Sequence, residues 1–152
     1  MPIVLNEWVI HDLRGENGSL AQRQSAEFLQ LFQRSADHIV VLRRSPWTTK
    51  AFNLMTVSTP PVRILSKFLH LSILQDSLKC RYVEAEEIQP LPWDLAEQIP
   101  NDDAYLFQTA LAVVAPIIVT SDVRLIERVA TLARERGVQM RQRDEFLAGY
   151  RE

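Results

Sequence analysis

One cysteine, Cys80, stands alone in 152 residues, so no internal disulfide can brace the fold and a reducing compartment suits the chain. The four glycines form no phosphate-binding loop, which argues against nucleotide hydrolases and dinucleotide-dependent oxidoreductases. The three histidines sit in unrelated contexts without metal-ligand spacing. Neither sign of charge dominates: 17 Lys and Arg face 19 Asp and Glu, for a net charge of −2. Any nucleic-acid binding must therefore come from a local basic patch rather than from the field of the whole molecule. Long hydrophobic runs are also missing. The least polar stretch, Ala104 to Val119, is interrupted by Gln108, Thr109 and Pro116 and falls short of a bilayer span. The opening MPIVLNEWVIHDLRG has neither a basic lead nor an apolar core of signal length. A soluble, cytoplasmic protein with no membrane association is expected.

What is present is an ordinary globular composition, 47% hydrophobic and 24% charged, in one domain's length of chain. Ile3 to Ile10 reads as a first, central strand, with Asn6 and Glu7 as costly interruptions unless they reach its end or a site. RGENG (14–18) is turn chemistry, and Ser19 with Gln22 suggests a capping box for a helix through Arg34 whose apolar face is Leu20, Phe28, Leu29, Leu31 and Phe32. His38 to Leu42 is a second strand. Ser45-Pro46 starts a helix to about Met55. A further helix is expected from Val62 to Ser77, with Ile64, Leu65, Phe68, Leu69, Leu71 and Leu74 inward. Arg81 to Val83 reads as an edge strand, and the acidic, proline-bearing segment 84–100 as a surface connection with one helical turn at Asp94 to Gln98. Ile117 to Thr120 is a buried strand and Asp122 to Arg136 a helix stopped by Gly137. Val138 to Met140 is a last strand, and Asp144 caps a terminal helix over Glu145 to Tyr150. Strands alternating with helices predict one three-layer α/β/α domain over residues 1–152, with a mainly parallel central sheet.

The chemistry-bearing stretch is PNDDAYLFQTALAVVAPIIVTSDVRLIER, residues 100–128. Asp102 and Asp103 open its helix, and Asp122 follows its strand. Residues just beyond the carboxyl end of a parallel strand face the ligand crevice, so Asp103 and Asp122, 19 residues apart, can be brought to one place. Either aspartate alone is explained as a helix cap stabilised by the dipole. The pair is a stronger signal, because gathered carboxylates repel one another and a bound Mg²⁺ or Mn²⁺ relieves that repulsion.

The same segment resembles the PIN-domain family, the metal-dependent ribonuclease fold of many bacterial toxin–antitoxin toxins. DAYLFQTALAVVAPIIVTSD is similar to that family's Asp-Ala…Ala…Thr-x-Asp pattern, and VLNEWVI to its opening strand. The resemblance implies Asp103 and Asp122 as metal ligands with Thr120 beside them, and Mg²⁺ or Mn²⁺ as cofactor. It further implies RNA as substrate, a homodimer, for which the apolar face of Val62 to Leu74 is a candidate surface, and an antitoxin-like protein partner. Two positions depart from it. The usual aspartate of the first strand is Asn6, followed by Glu7, and SPWTTK places Lys50 where the family carries a glutamate.

Asn keeps an oxygen ligand but removes a charge, whereas Lys adds a cation. Two unit charges about 4 Å apart interact by roughly 4 kcal/mol at an effective dielectric near 20, enough for a lysine to compete with a divalent ion. Two readings stay open. In the first, the chain is an endoribonuclease with Asp103, Asp122 and Asn6 as ligands, and Glu7 or Asp12 supplying the missing carboxylate. In the second, Lys50 bonds Asp103 or Asp122 and replaces the metal, leaving a non-catalytic module that binds RNA or a protein and has no cofactor. A receiver-like signalling domain is disfavoured, because Asp37 precedes its strand rather than ending it. Arg14, Arg43, Arg44, Lys50, Arg63 and Lys67 are candidate phosphate contacts. Arg124, Arg128, Arg134 and Arg136 are expected to pair with Glu127 and Glu135 on an outer helix face. Trp8, Trp47 and Trp93 are expected to pack.

Overall fold

The computed structural model describes residues 1–151. Among these, five strands, β1 (Pro2–Leu5), β2 (His38–Leu42), β3 (Cys80–Val83), β4 (Ile117–Thr120) and β5 (Gln139–Gln142), pair in parallel in the order β3-β2-β1-β4-β5. The same residues form α1 (Trp8–Arg14), α2 (Ser19–Arg34), α3 (Pro46–Leu54), α4 (Pro60–Phe68), α5 (Trp93–Gln98), α6 (Ala104–Leu111), α7 (Val123–Glu135) and α8 (Arg143–Tyr150). Among the described residues, no helix is long and apolar enough to cross a membrane.

Alternation along each strand divides the interior into two cores. Ile3, Leu5, Ile39, Val41, Ile117 and Val119 point to one face, against α1 to α4 and α8. Val4, Val40, Leu42 and Ile118 point to the other, against α5 to α7. The result is a three-layer α/β/α arrangement. Phe32 anchors the first core and Phe107 the second, both fully buried.

The chain winds outward from β1 through β2 to β3, then returns to the opposite side of β1 as β4. The connections on the two sides of β1 diverge there, and this opens a crevice beyond the carboxyl ends of β1 and β4. The β1–β4 register, Leu5 opposite Val119, brings Asn6 and Thr120 side by side at that end.

Several local expectations are corrected. β1 ends at Leu5, and Trp8 to Ile10 begin α1 instead of extending the strand. Their unbroken apolar character comes from a helix wedged into the core, with Trp8, Val9, Ile10 and Leu13 all buried, and the Trp8 indole N–H donates to the Val119 carbonyl at 2.9 Å. Gly18 is the cap of α2, and Gln22 donates to the Leu13 carbonyl instead of closing a capping box. Leu20 is 62% exposed and Leu31 is also outward. The predicted helix 62–77 is α4 followed by a π-helical segment, Leu69–Leu74; Leu74 is inward as expected, and the buried face is otherwise Val62, Ser66, Leu69 and Ile73. That is i, i+4, i+7, i+11 spacing, which turns Ile64 and Leu71 to solvent.

β5 begins one residue later than expected and runs to Gln142, whose side chain, not that of Asp144, caps α8 by accepting from the Asp144 and Glu145 amides. Arg136 pairs with Asp94 at 2.8 Å, tying α7 to α5, rather than with Glu127 or Glu135. Trp93 is 74% exposed, while Trp8 and Trp47 are buried.

Candidate functional site

Asn6 and Glu7 leave the end of β1 and turn directly into α1. The Asn6 amide has a fixed orientation. Its Oδ1 accepts from the Glu7 backbone N–H at 2.6 Å, which can only donate, so Nδ2 is left to donate to Thr120 Oγ1 at 3.0 Å. Thr120, fully buried at the end of β4, also accepts from the Asp122 amide at 3.1 Å. Asp122 caps α7, with Oδ1 accepting from Leu125 N–H at 3.1 Å. Asn6, Thr120 and Asp122 are thus one continuous hydrogen-bonded chain across β1 and β4.

Glu7 extends from this chain into a cleft of about 460 Å³ that Lys50, Asp102, Asp103 and Tyr105 also line. Its two carboxylate oxygens are taken separately: Oε2 by Lys50 Nζ at 2.6 Å and Oε1 by Tyr105 OH at 2.9 Å. Burial, and then the Glu7 bond, push the Tyr105 hydroxyl far above its ordinary range, so it stays neutral and donates. Lys50 is presented by α3, whose start is fixed by Pro46 and by a reciprocal Ser45–Thr48 capping box. The expectation that Lys50 would bond Asp103 or Asp122 is corrected: its partner is Glu7.

Asp103 closes a 3₁₀ turn, Asn101–Asp103, and stands at the cap position of α6 without making the side-chain capping bond. Its carboxyl is raised above the ordinary aspartate range, first by burial and then by the charges of Asp122, Glu7 and Asp102. Asp103 is therefore the group in the crevice on which negative charge is least compensated. The structure brings Asn6, Glu7, Lys50, Asp102, Asp103, Thr120 and Asp122 to this end of the sheet.

Asp12 does not join them. It is 1% exposed, accepts from Ser25 Oγ at 2.7 Å and Asn17 Nδ2 at 2.8 Å, and pairs with Arg143 at 2.8 Å. The fifth position of α1 turns it away from the crevice toward α2 and α8. The proposed basic series also disperses: Arg14 pairs with Glu16 at 3.3 Å and Arg43 with Glu84 at 2.8 Å, leaving Lys50 as its member in the cleft. Cys80 is buried, which pushes its thiol up to about 12 and makes it a poor nucleophile.

Tyr105 was absent from the sequence-based candidates. The signal that could have found it is its place two residues after Asp103, in the first turn of the helix that opens on the crevice. Its hydroxyl meets Glu7 across 98 positions of sequence.

Among the described residues, no three His, Cys, Asp or Glu side chains gather closely enough to enclose a metal ion. The donor set instead suits a cation held by one or two carboxylates and completed by water and substrate oxygens, the manner in which Mg²⁺ is commonly bound. Asp103 is the uncompensated carboxylate of that set, and Asp122 retains an oxygen beyond its capping bond. No protein-family model matches the chain, and no curated protein or solved structure matches it either.

Proposed function

We propose that the chain is a PIN-like endoribonuclease domain that hydrolyses RNA phosphodiesters with Mg²⁺ or Mn²⁺. The observation that carries this reading is the cleft that Glu7, Asp102 and Asp103 line together at the carboxyl end of the sheet, where Asp122 adds to the charge that raises the Asp103 carboxyl. Asp103 and Asp122 would hold the cation, with the Asn6 side-chain oxygen nearby. When bound, such an ion supplies positive charge that offsets the charge developing on the phosphate and makes water a better nucleophile. The chain's own residues do the rest. The Asn6–Thr120–Asp122 chain fixes the two strand ends relative to each other. Tyr105 and Lys50 hold Glu7 from two sides, and Lys50, a three-proton donor spending one bond on Glu7, has donors for a phosphate oxygen. A toxin-type role with an antitoxin-like partner and a homodimeric state belong to the same proposal, on the sequence resemblance alone.

A second reading is favoured by one contact. The 2.6 Å Lys50–Glu7 pair places a resident cation among the carboxylates, as a catalytically silent PIN-like module that binds RNA or a protein would require. Calorimetric titration with Mn²⁺ separates the two. Binding that disappears in Asp103→Asn, together with Mn²⁺-dependent cleavage of single-stranded RNA by the unaltered protein, supports the nuclease. No binding at millimolar Mn²⁺ overturns it in favour of the silent module.

A further inference from the structure

α3 has a second side. The face opposite Lys50 walls a separate pocket of about 210 Å³, bordered by Arg43, Arg44, Trp47, Phe52, His70 and Tyr82. The two arginines follow directly from the carboxyl end of β2, the neighbour of β1, so the pocket opens at the same end of the sheet as the acidic cleft, with one helix between them. A helix with its side chains is about 10–12 Å across, a distance that a few nucleotides of single strand cover.

The pocket has the opposite electrostatic character to the cleft. The Arg43 guanidinium is stacked on the Tyr82 ring at 4.2 Å while its Nε bonds Glu84, which fixes its plane and leaves its terminal nitrogens available. Arg44 is exposed and held at φ +60, a left-handed conformation that costs energy for any residue but glycine. Phe52 presents its ring to solvent at 65% exposure, an expensive placement for a phenylalanine with no partner. His70 donates from Nε2 to the Ala51 carbonyl at 2.7 Å, which fixes the ring against α3. Paired guanidinium groups beside aromatic faces in a small concave site match a phosphate joined to a planar ring. The concavity and the charge fit a nucleotide better than the broad, flatter surface a protein partner covers.

We propose that this pocket is a nucleotide subsite for single-stranded RNA. The base stacks on Phe52 and its neighbouring aromatic wall, the adjoining phosphate meets Arg43 and Arg44, and the strand then crosses α3 into the acidic cleft. The assignment deepens the nuclease reading by saying where the strand flanking the cleavage point is held, and it takes its choice of RNA from that reading.

The test is binding of a short fluorescent single-stranded RNA in EDTA, followed by anisotropy, so that cleavage plays no part. Arg44→Gly removes the guanidinium while relieving the positive φ, so the variant folds at least as well as the parent. Phe52→Ala alters an exposed side chain. Each is expected to weaken binding about tenfold, with Arg44→Gly also reducing the salt dependence by about one counterion. Arg134→Gln on α7, which packs on the opposite face of the sheet, is expected to leave affinity unchanged. Unchanged affinity in both pocket variants, or no RNA binding by the parent protein, overturns the subsite. Binding of a nucleoside monophosphate that RNA does not displace overturns it in favour of a free-nucleotide site. RNA bound through Arg44 but never cleaved in Mn²⁺ leaves the subsite standing and removes the nuclease. Cleavage with unaltered affinity in both variants does the reverse.

Discussion

Asp12 and Asp103 are both carboxylates that the sequence offers to one site, yet their surroundings are opposites. Asp12 is almost fully buried and compensated by Arg143, Ser25 and Asn17. Asp103 is less buried, makes no capping bond, and has three carboxylates as its electrostatic neighbours. The first is a bolt that ties α1 to α2 and α8. The second is a charge that the fold holds at a cost, in the place where a ligand would approach. Burial alone does not mark a functional acid; burial without a counter-charge does.

The contrast can be broken most forcefully at Arg143. Arg143→Ala leaves the Asp12 charge buried and unpaired, and chemical denaturation should show a loss of about 3–5 kcal/mol. Replacing both partners together, as Asp12→Asn with Arg143→Met, should cost clearly less. If the double variant is no more stable than Arg143→Ala, the network is held by packing rather than by charge.

Lys50→Met should do little to stability, about 0–1 kcal/mol, because the Glu7–Lys50 pair is partly open to solvent. Its effect belongs to the crevice. With the ammonium gone, the Glu7 charge that bears on Asp103 loses its counter-ion, and the Asp103 side-chain resonance should titrate at higher pH than in the parent protein. An unmoved titration would mean that Lys50 and Asp103 are not electrically coupled.

The smallest effect should have the opposite sign. Asp103 has a folded-state affinity for its proton above that of the unfolded chain, so the folded state gains stability as pH falls and loses it as pH rises through the window above the ordinary aspartate value. Asp103→Asn removes this penalty. Melting temperatures measured without metal should place the variant above the parent at neutral pH, with the difference shrinking toward pH 3–4, about the ordinary aspartate range. A variant less stable than the parent at pH 7 would show that the carboxylate is compensated after all.

Much of this arrangement is legible in the sequence where a residue's role is fixed by its immediate neighbours. β2 and β4 begin and end where their apolar runs do, and Ser45-Pro46 caps α3 as its chemistry requires. Asp103 and Asp122 are found because helix starts after extended segments lie at one end of a parallel sheet. What escapes is decided at a distance. Val9 and Ile10 satisfy a strand or a buried helix equally well, so the end of β1 depends on the core that receives them. Whether Lys50 meets Glu7 or Asp103, and whether Asp12 faces the crevice or Arg143, depends on the rotation of a helix about its axis, which local spacing leaves free. Tyr105 is invisible for the same reason: its partner, Glu7, lies 98 positions away, in the turn between β1 and α1.

The amide at Asn6 gives the strand ends a direction. Because its nitrogen donates to Thr120, the threonine oxygen receives protons from both sides, and its own hydroxyl proton is not spent on either neighbour. A carboxylate in that position could not donate, and the threonine would have to turn its proton toward residue 6 to keep the link. Asn6 therefore does more than leave out a charge. It sets the polarity of the relay between the two central strands, and it leaves one small, orientable dipole at the floor of the crevice.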